Sequence, residues 1–357
     1  MSYKMGQFTQ IWAMGSIYLV GCDDIRFWRV IGVVHLFSVL MKKFLRNITI
    51  FIAVLLLLAL VTDYAISNGL KRTERGHFYT MNALMRQKMD ADMVILGNSR
   101  AAGSYNPALL DSILATDSRN LGVSGQPFGV SYLRWQLYKR NNVKPKLLII
   151  NIDYAELNIV TNGFEKEQYY PYMRDTLIKP YLDLYGFTRL EKYVPMYRYR
   201  GDYKLMGIGL MELFHLHHDT KGNYIKGYSN ADLKWNGEKL EGVIRNGKVK
   251  CQCNQQAVEL LNEVVERAIN DGIFVVFVYA PVYKVLKDNL DEIESMEIYN
   301  SLSLQYGVPI LDFSEMEFCS DSSYFIDANH VNSKGATQFS LELAHKIDSL
   351  GLMKIQQ

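Results

Sequence analysis

Asp92-Met93-Val94-Ile95-Leu96-Gly97-Asn98-Ser99-Arg100 is a short apolar run that breaks directly into a glycine and three polar residues. A fully apolar run of this length, closed by glycine, predicts a strand buried on both faces, as in a parallel sheet. Asn106 to Leu114 then has helical character, with Pro107 in its first turn, where a missing N–H costs nothing. Asn120-Leu121-Gly122-Val123 reads as a second strand, Val130 to Tyr138 as a helix, and Leu147-Leu148-Ile149-Ile150 as a third strand. Strands alternating with helices predict an α/β fold, a three-layer doubly wound parallel sheet.

The rhythm stops after Leu157. Residues 160–250 are rich in tyrosine, glycine and charge, and hold eleven of the chain's 24 tyrosines, all between Tyr169 and Tyr228. They read as an aromatic-rich insertion beside the sheet. Two uses fit: the rings pack in a half-buried cap with their hydroxyls reaching water, or they shape a substrate cleft and stack on sugar rings. The alternation resumes with a helix over Ala257 to Ile269, closed at Asp271-Gly272, and a strand over Ile273 to Val278. A helix follows from Asp291 to Tyr306, then a strand from Val308 to Phe313 and a last helix from Gly335 to Leu350. The folded domain therefore covers residues 92–350, with the insertion at about 160–250.

Functional residues of parallel sheets gather on loops at the carboxyl ends of strands. Two loops qualify here: Gly97-Asn98-Ser99-Arg100 and Asp327-Ala328-Asn329-His330. Each alone is an ordinary turn or cap sequence. Together they hold the parts of a hydrolytic triad. A serine hydroxyl needs a base to remove its proton, histidine titrates in the right range, and a carboxylate fixes its tautomer. An aspartate three residues before the histidine can fold back onto the ring.

These blocks resemble the SGNH/GDSL hydrolase superfamily. Ile95-Leu96-Gly97-Asn98-Ser99-Arg100 is similar to its first block, with Asn98 where many members have Asp. Asn120-Leu121-Gly122-Val123-Ser124-Gly125 is similar to the second, and Asp327-Ala328-Asn329-His330-Val331-Asn332 to the Asp-x-x-His block. The resemblance implies a flavodoxin-like sheet with no cofactor and no metal. It implies Ser99 as nucleophile, His330 as general base, Asp327 as its orienting carboxylate, and an oxyanion hole from the N–H groups of Ser99 and Gly125. Such donors are worth about 2.7–4 kcal/mol each. The chain departs from the family after the third strand. Ile149-Ile150-Asn151-Ile152-Asp153-Tyr154 lacks the usual Gly-x-Asn-Asp, leaving Asn151 as the nearest candidate for a third donor, while Asp153 offers an acceptor. Arg100 either stabilises negative charge in the site or pairs with a carboxylate.

Upstream, Asn47 to Thr62 (NITIFIAVLLLLALVT) carries no charge. Extended to Ile66, residues 47–66 reach transmembrane length. Lys42, Lys43 and Arg46 precede the run and favour a cytoplasmic flank, although Lys71, Arg72 and Arg75 follow it. Ala65-Ile66-Ser67 also offers a signal-type cleavage site, in which case residues 1–46 would be an extension from an overcalled start. Either way the sequence expects residues after about 70, through a linker at 67–91, to lie outside the cytoplasm of a bacterial cell.

An anchor, a Gly-Asn-Ser-Arg block, an altered third block and an aromatic insertion together resemble the bacterial SGNH-like proteins of cell-envelope acylation. The alginate O-acetylation proteins and the lipoteichoic-acid D-alanylation protein are examples. That likeness implies an acylated exported polysaccharide or an acyl donor as substrate, and a membrane-bound O-acyltransferase as partner.

The 357 residues carry 39 Lys+Arg against 37 Asp+Glu, a balance unlike the concentrated basic excess of nucleic-acid binders. Four cysteines are too few for a disulfide scaffold. His215-Leu216-His217-His218 lacks the further ligands that a zinc site needs and reads as polar loop. Cys319 could pair with Cys251 or Cys253, or all three stay as thiols.

Overall fold

The computed structural model describes residues 25–86, 89–125, 128–158, 165–183, 185–216, 224–229, 232–237, 240–241, 249–250 and 252–353. The chain divides into two units, Met1–Asp63 and Tyr64–Gln357. One long helix, α1 (Ile25–Leu70), runs from the first into the second. Its Val33–Leu70 segment contains an 18-residue window with a mean hydropathy of 2.5 and is long and apolar enough to cross a membrane, and the aliphatic side chains from Leu55 to Leu58 are exposed.

In chain order the second unit continues with α2 (Phe78–Arg86), β1 (Met93–Leu96), α3 (Ser99–Ser104), α4 (Pro107–Leu114), β2 (Ser118–Asn120), α5 (Phe128–Asn141) and β3 (Leu147–Ile152). The insertion contributes α6 (Arg189–Tyr193), α7 (Tyr203–Leu213) and the two-residue strands β4 (Tyr224–Ile225), β5 (Tyr228–Ser229) and β6 (Val249–Lys250). The last third holds α8 (Gln255–Asn270), β7 (Phe274–Tyr279), α9 (Lys284–Lys287), β8 (Leu290–Asp291), α10 (Ile293–Tyr306), β9 (Ile310–Asp312) and α11 (Ser333–Ser349).

The central sheet has the order β2-β1-β3-β7-β9, and every pairing in it is parallel. Side chains alternate across a strand, so the apolar strands feed two cores. Val94, Leu96, Leu148, Ile150, Val275 and Phe277 enter one cluster; Met93, Ile95, Leu147, Ile149, Val276 and Val278 enter the other. The architecture is the doubly wound α/β sheet that the sequence predicts.

Local differences from the sequence reading have physical causes. The second strand ends at Asn120, because the Asn120 side chain turns back to accept from Gly122 N–H. Leu121 and Val123 still donate to Ile95 and Gly97, as a loop laid along the end of β1. The helix expected from Asp291 starts at Ile293, since Leu290–Asp291 pairs with Val249–Lys250. The last helix starts two residues early, at Ser333, because Asn332 caps it by accepting from the N–H groups of Lys334 and Gly335.

The tyrosines of the insertion are mostly core. Tyr169, Tyr170, Tyr172, Tyr185 and Tyr199 are buried with Ile66, Leu70, Phe78 and Trp135 in one cluster. Tyr169 stacks on Tyr185 at 5.0 Å, and Tyr170 meets Tyr199 edge-on at 5.5 Å. Such pairs add to plain area burial. The buried Arg134 of α5 ties this cap to the sheet: it donates to the carbonyls of Leu121 and Gly122 and to Gln168 Oε1. Of the stretch 67–91 read as a linker, residues 67–86 are folded. Leu70 and Thr73 are fully buried, and Asn82 donates to both of their carbonyls.

Candidate active site

The strand order places the site. The chain leaves β1 toward β2 on one side and returns to β3 on the other, so the loops after β1 and β3 flank a topological switch point. The first loop carries Ser99 and the second carries Asp153. The last helix, α11, packs back against α3 and α4, which brings the loop before it, Asp327–His330, over the same spot.

Gly97 makes the turn out of β1. Its φ is +147°, and a Cβ there would sit 2.8 Å from both the Ala101 and the Asn151 Cβ atoms, so only glycine fits. Asn98 then caps α3, its Oδ1 accepting from Arg100 N–H at 2.9 Å. Ser99 is the first helical residue, a position whose N–H has no partner inside the helix.

Ser99 Oγ lies 2.9 Å from His330 Nε2, and His330 Nδ1 lies 2.8 Å from Asp327 Oδ1. The same Asp327 oxygen accepts the backbone N–H groups of Asn329 at 2.9 Å and His330 at 3.0 Å, which builds the turn that presents the ring. Asp327 is buried. Asn329 Oδ1 accepts from Tyr154 O–H at 2.6 Å, fastening this loop to the one after β3. With Nδ1 protonated toward Asp327, Nε2 is free to accept the Ser99 proton.

The three side chains open onto a cavity of about 410 Å³ that Ser124, Gly125, Ser229, Ile326 and Val331 also line. Gly125, from the second block, therefore shares the cavity with Ser99. The insertion contributes Ser229 to this lining; the tyrosines named above lie in the core instead. Of the two uses the sequence leaves open, these tyrosines take the first, packing in the core.

Beneath Ser99 lies a buried polar network that the sequence reading largely missed. Asp153 and Glu156, both fully or almost fully buried, follow β3. Arg100, 3% exposed, sits 3.3 Å from Asp153 Oδ2 and also donates to the carbonyls of Ala280 and Pro281. Arg100 thus pairs with a carboxylate and is not aimed at the cavity. Asn98 Nδ2 donates to Asp153 Oδ2 at 3.0 Å, while Asn98 N–H donates to Glu156 Oε2 at 3.0 Å. An Asp at position 98 would set two carboxylates face to face, which explains the Asn there. Asn151 is buried within β3, accepting from Tyr105 O–H at 2.9 Å, with its Nδ2 3.4 Å from Asp153 Oδ2. Its amide is engaged inside the network, so the third oxyanion donor expected there is not in place. One signal was available: two carboxylates directly beyond the most apolar strand, at the carboxyl end where parallel sheets do chemistry.

Burial, reinforced by Asp153, pushes Glu156 well above the usual carboxylate range. The folded protein then holds a proton that the unfolded chain releases. This group's contribution to stability is full below the unfolded carboxylate pKa and is lost as pH rises toward the folded one. Glu156→Gln keeps an oxygen for Asn98 N–H and removes that dependence. Its unfolding free energy, relative to the parent, is expected to climb as pH rises above the unfolded carboxylate pKa, at up to about 1.4 kcal/mol per pH unit, and its melting temperature to climb with it. Parallel melting curves for the two proteins over that rise in pH would contradict the assignment.

Cys253 and Cys319 are both free thiols; Cys251, His217 and His218 lie outside the described residues. His215 is within 3.1 Å of Arg72 Nη1. Among the described residues, no three His, Cys, Asp or Glu side chains gather as a metal site.

No family model and no curated protein matches the chain. Solved structures do. A protein from Desulfitobacterium hafniense DCB-2, assigned to the G-D-S-L lipolytic family, is 14% identical with a TM-score of 0.34, over 71% of this chain and 97% of that one. A protein from Bacteroides fragilis NCTC 9343, assigned as an acylhydrolase, is 11% identical with a TM-score of 0.34, over 71% of this chain and 86% of that one. Both of these proteins are matched over most of their own length.

Proposed function

We propose that this protein is a membrane-anchored SGNH-type serine acyl-esterase or O-acyltransferase working through a Ser99 acyl-enzyme. One observation carries the reading: the Ser99–His330–Asp327 relay, with hydrogen bonds of 2.9 and 2.8 Å, at the wall of an open cavity. Ser99 Oγ attacks the acyl carbonyl while its proton passes to His330 Nε2, and Asp327 holds the imidazolium that forms. The oxyanion faces the N–H groups of Ser99 and Gly125. His330 returns the proton to the departing alcohol. Water then releases the acyl group, or a sugar hydroxyl accepts it.

An acylated exported polysaccharide as substrate, a membrane-bound O-acyltransferase as partner and a place on the outer side of a bacterial cytoplasmic membrane belong to this proposal. They are supported by the combination of apolar helix, Gly-Asn-Ser-Arg block and altered third block. The folded state of residues 64–73 favours a retained anchor, because cleavage near Ala65–Ser67 would cut into packed structure. Incubation with an activated acetyl ester, with and without an oligosaccharide acceptor, tests the chemistry. Hydrolysis or sugar acetylation is expected, with an acetyl group trapped on Ser99. No turnover and no trapped acyl group would overturn it.

A second reading, a non-catalytic glycan- or partner-binding accessory protein, draws on the engagement of the Asn151 amide inside the network. It requires polysaccharide binding that persists in Ser99→Ala and His330→Ala in a protein without ester turnover.

A further inference from the structure

Helix α7 is apolar on two sides. Leu205 and Gly209 face the fold, whereas Tyr203, Leu210, Met211, Phe214 and Leu216 on and after it are exposed, Tyr203 at 80% and Phe214 at 65%. A helix with apolar residues all round is expected in a core or a membrane. What the inner side touches explains the outer one. A Cβ on Gly69 would fall 1.6 Å from the Gly209 carbonyl oxygen, and one on Gly209 would fall 2.8 Å from the Ile66 carbonyl. The backbones of α7 and of the last turn of α1 are thus in direct contact. Ser67 Oγ is 2.8 Å from Tyr199 O–H and accepts from Arg198 at 3.0 Å. Arg72 donates to the Leu213 carbonyl at 2.8 Å. Residues 198–213 therefore pack as a collar against Ile66–Arg72, the last turn of α1 and the residues just after it.

Just before this collar stands Tyr64, 71% exposed, two residues beyond the uncharged run that ends at Thr62 and directly after Asp63. If that run lies in the bilayer, as the anchor reading has it, Tyr64 marks the hydrocarbon boundary, where aromatic rings collect. Gly69 is then only about 7 Å further along the helix, at 1.5 Å per residue. The headgroup zone is about 5–8 Å deep on each side, so the collar begins inside it. Arg200, just before α7, and Lys204, in its first turn, are exposed, and basic residues beside apolar ones are the mixture that interfacial helices present to lipid acyl chains and phosphates.

We infer that α7 and the Phe214–Leu216 segment after it lie in the lipid headgroup layer as a second, monotopic membrane contact of the catalytic unit. This rests on the anchor reading, and the experiment separates the two. The full-length protein is placed in nanodiscs of phosphatidylcholine and phosphatidylglycerol, with p-benzoyl-phenylalanine at one position at a time: 56, 203, 214 or 304. Leu304, on α10, is 86% exposed and serves as the equally apolar comparison. After irradiation, lipid adducts are read by peptide mass spectrometry. Adducts at 56, 203 and 214 but not at 304 are expected. Adducts at 56 without any at 203 and 214 overturn the inference and leave the anchor standing. Absence of adducts at 56 overturns the anchor reading, and the inference falls with it.

Discussion

Ser99→Ala is expected to lower turnover of an activated acetyl ester by roughly 10⁴- to 10⁶-fold, with little change in the denaturation midpoint. The hydroxyl bonds to His330 across the cavity wall, so its loss leaves no buried group stranded. His330→Ala is expected to fall as far, and the double variant no further, because groups that act as one unit are not additive. Asp327→Asn is the cleaner probe of the third member. Asp327 Oδ1 also accepts two backbone N–H groups, which an asparagine oxygen can still do, whereas alanine would unmake the turn. Its loss is expected at roughly 10⁴-fold, through the wrong histidine tautomer. Initial rates on purified variants, paired with urea denaturation, check the set; full additivity of Ser99→Ala and His330→Ala would argue against a relay.

Asp153→Ala is expected to cost about 3–5 kcal/mol of stability, since it leaves the Arg100 guanidinium buried without its carboxylate. Arg100 is almost wholly enclosed, and the carbonyls of Ala280 and Pro281 do not replace a counter-charge. Arg100→Met alone strands Asp153 in the same way. The pair Arg100→Met with Asp153→Asn removes both charges while Asn98 keeps an oxygen to donate to, and is expected to cost less than the sum of Arg100→Met and Asp153→Asn measured singly. A urea double-mutant cycle reads this coupling. A coupling near zero would mean that the ion pair does not hold the Gly97–Ser99 turn. Ester turnover by Asp153→Asn is expected to fall too, because Asn98, the cap next to the nucleophile, loses its charged acceptor.

The sheet was legible because its strands are apolar along their whole length. Val94, Leu96, Leu148 and Ile150 feed one core while Met93, Ile95, Leu147 and Ile149 feed the other, so a continuous apolar run between polar turns admits little but a central parallel strand. Ser99, Asp327 and His330 were legible from their loops, since strand ends in such sheets are where loops converge. The network under Ser99 was not. Asp153 and Glu156 are separated from Asn98 and Arg100 by more than fifty residues, and only the β1–β3 pairing reveals that they meet. The fate of Asn151 depended on the same contact: in a strand its side chain goes to one face or the other, and here that face holds Tyr105 and Asp153. The tyrosine insertion left two uses open for a simpler reason. Composition cannot tell a ring that fills a core from one that lines a cleft.

The central claim is that His330 makes Ser99 a nucleophile. The most direct test is covalent capture by a fluorophosphonate, read as an adduct on the Ser99 peptide by mass spectrometry. A single adduct on Ser99 is expected in the parent protein, none in Ser99→Ala, and much slower capture in His330→Ala, which keeps the serine but removes its base. An unlabelled Ser99 in the folded parent, or capture as fast without His330 as with it, would contradict that claim.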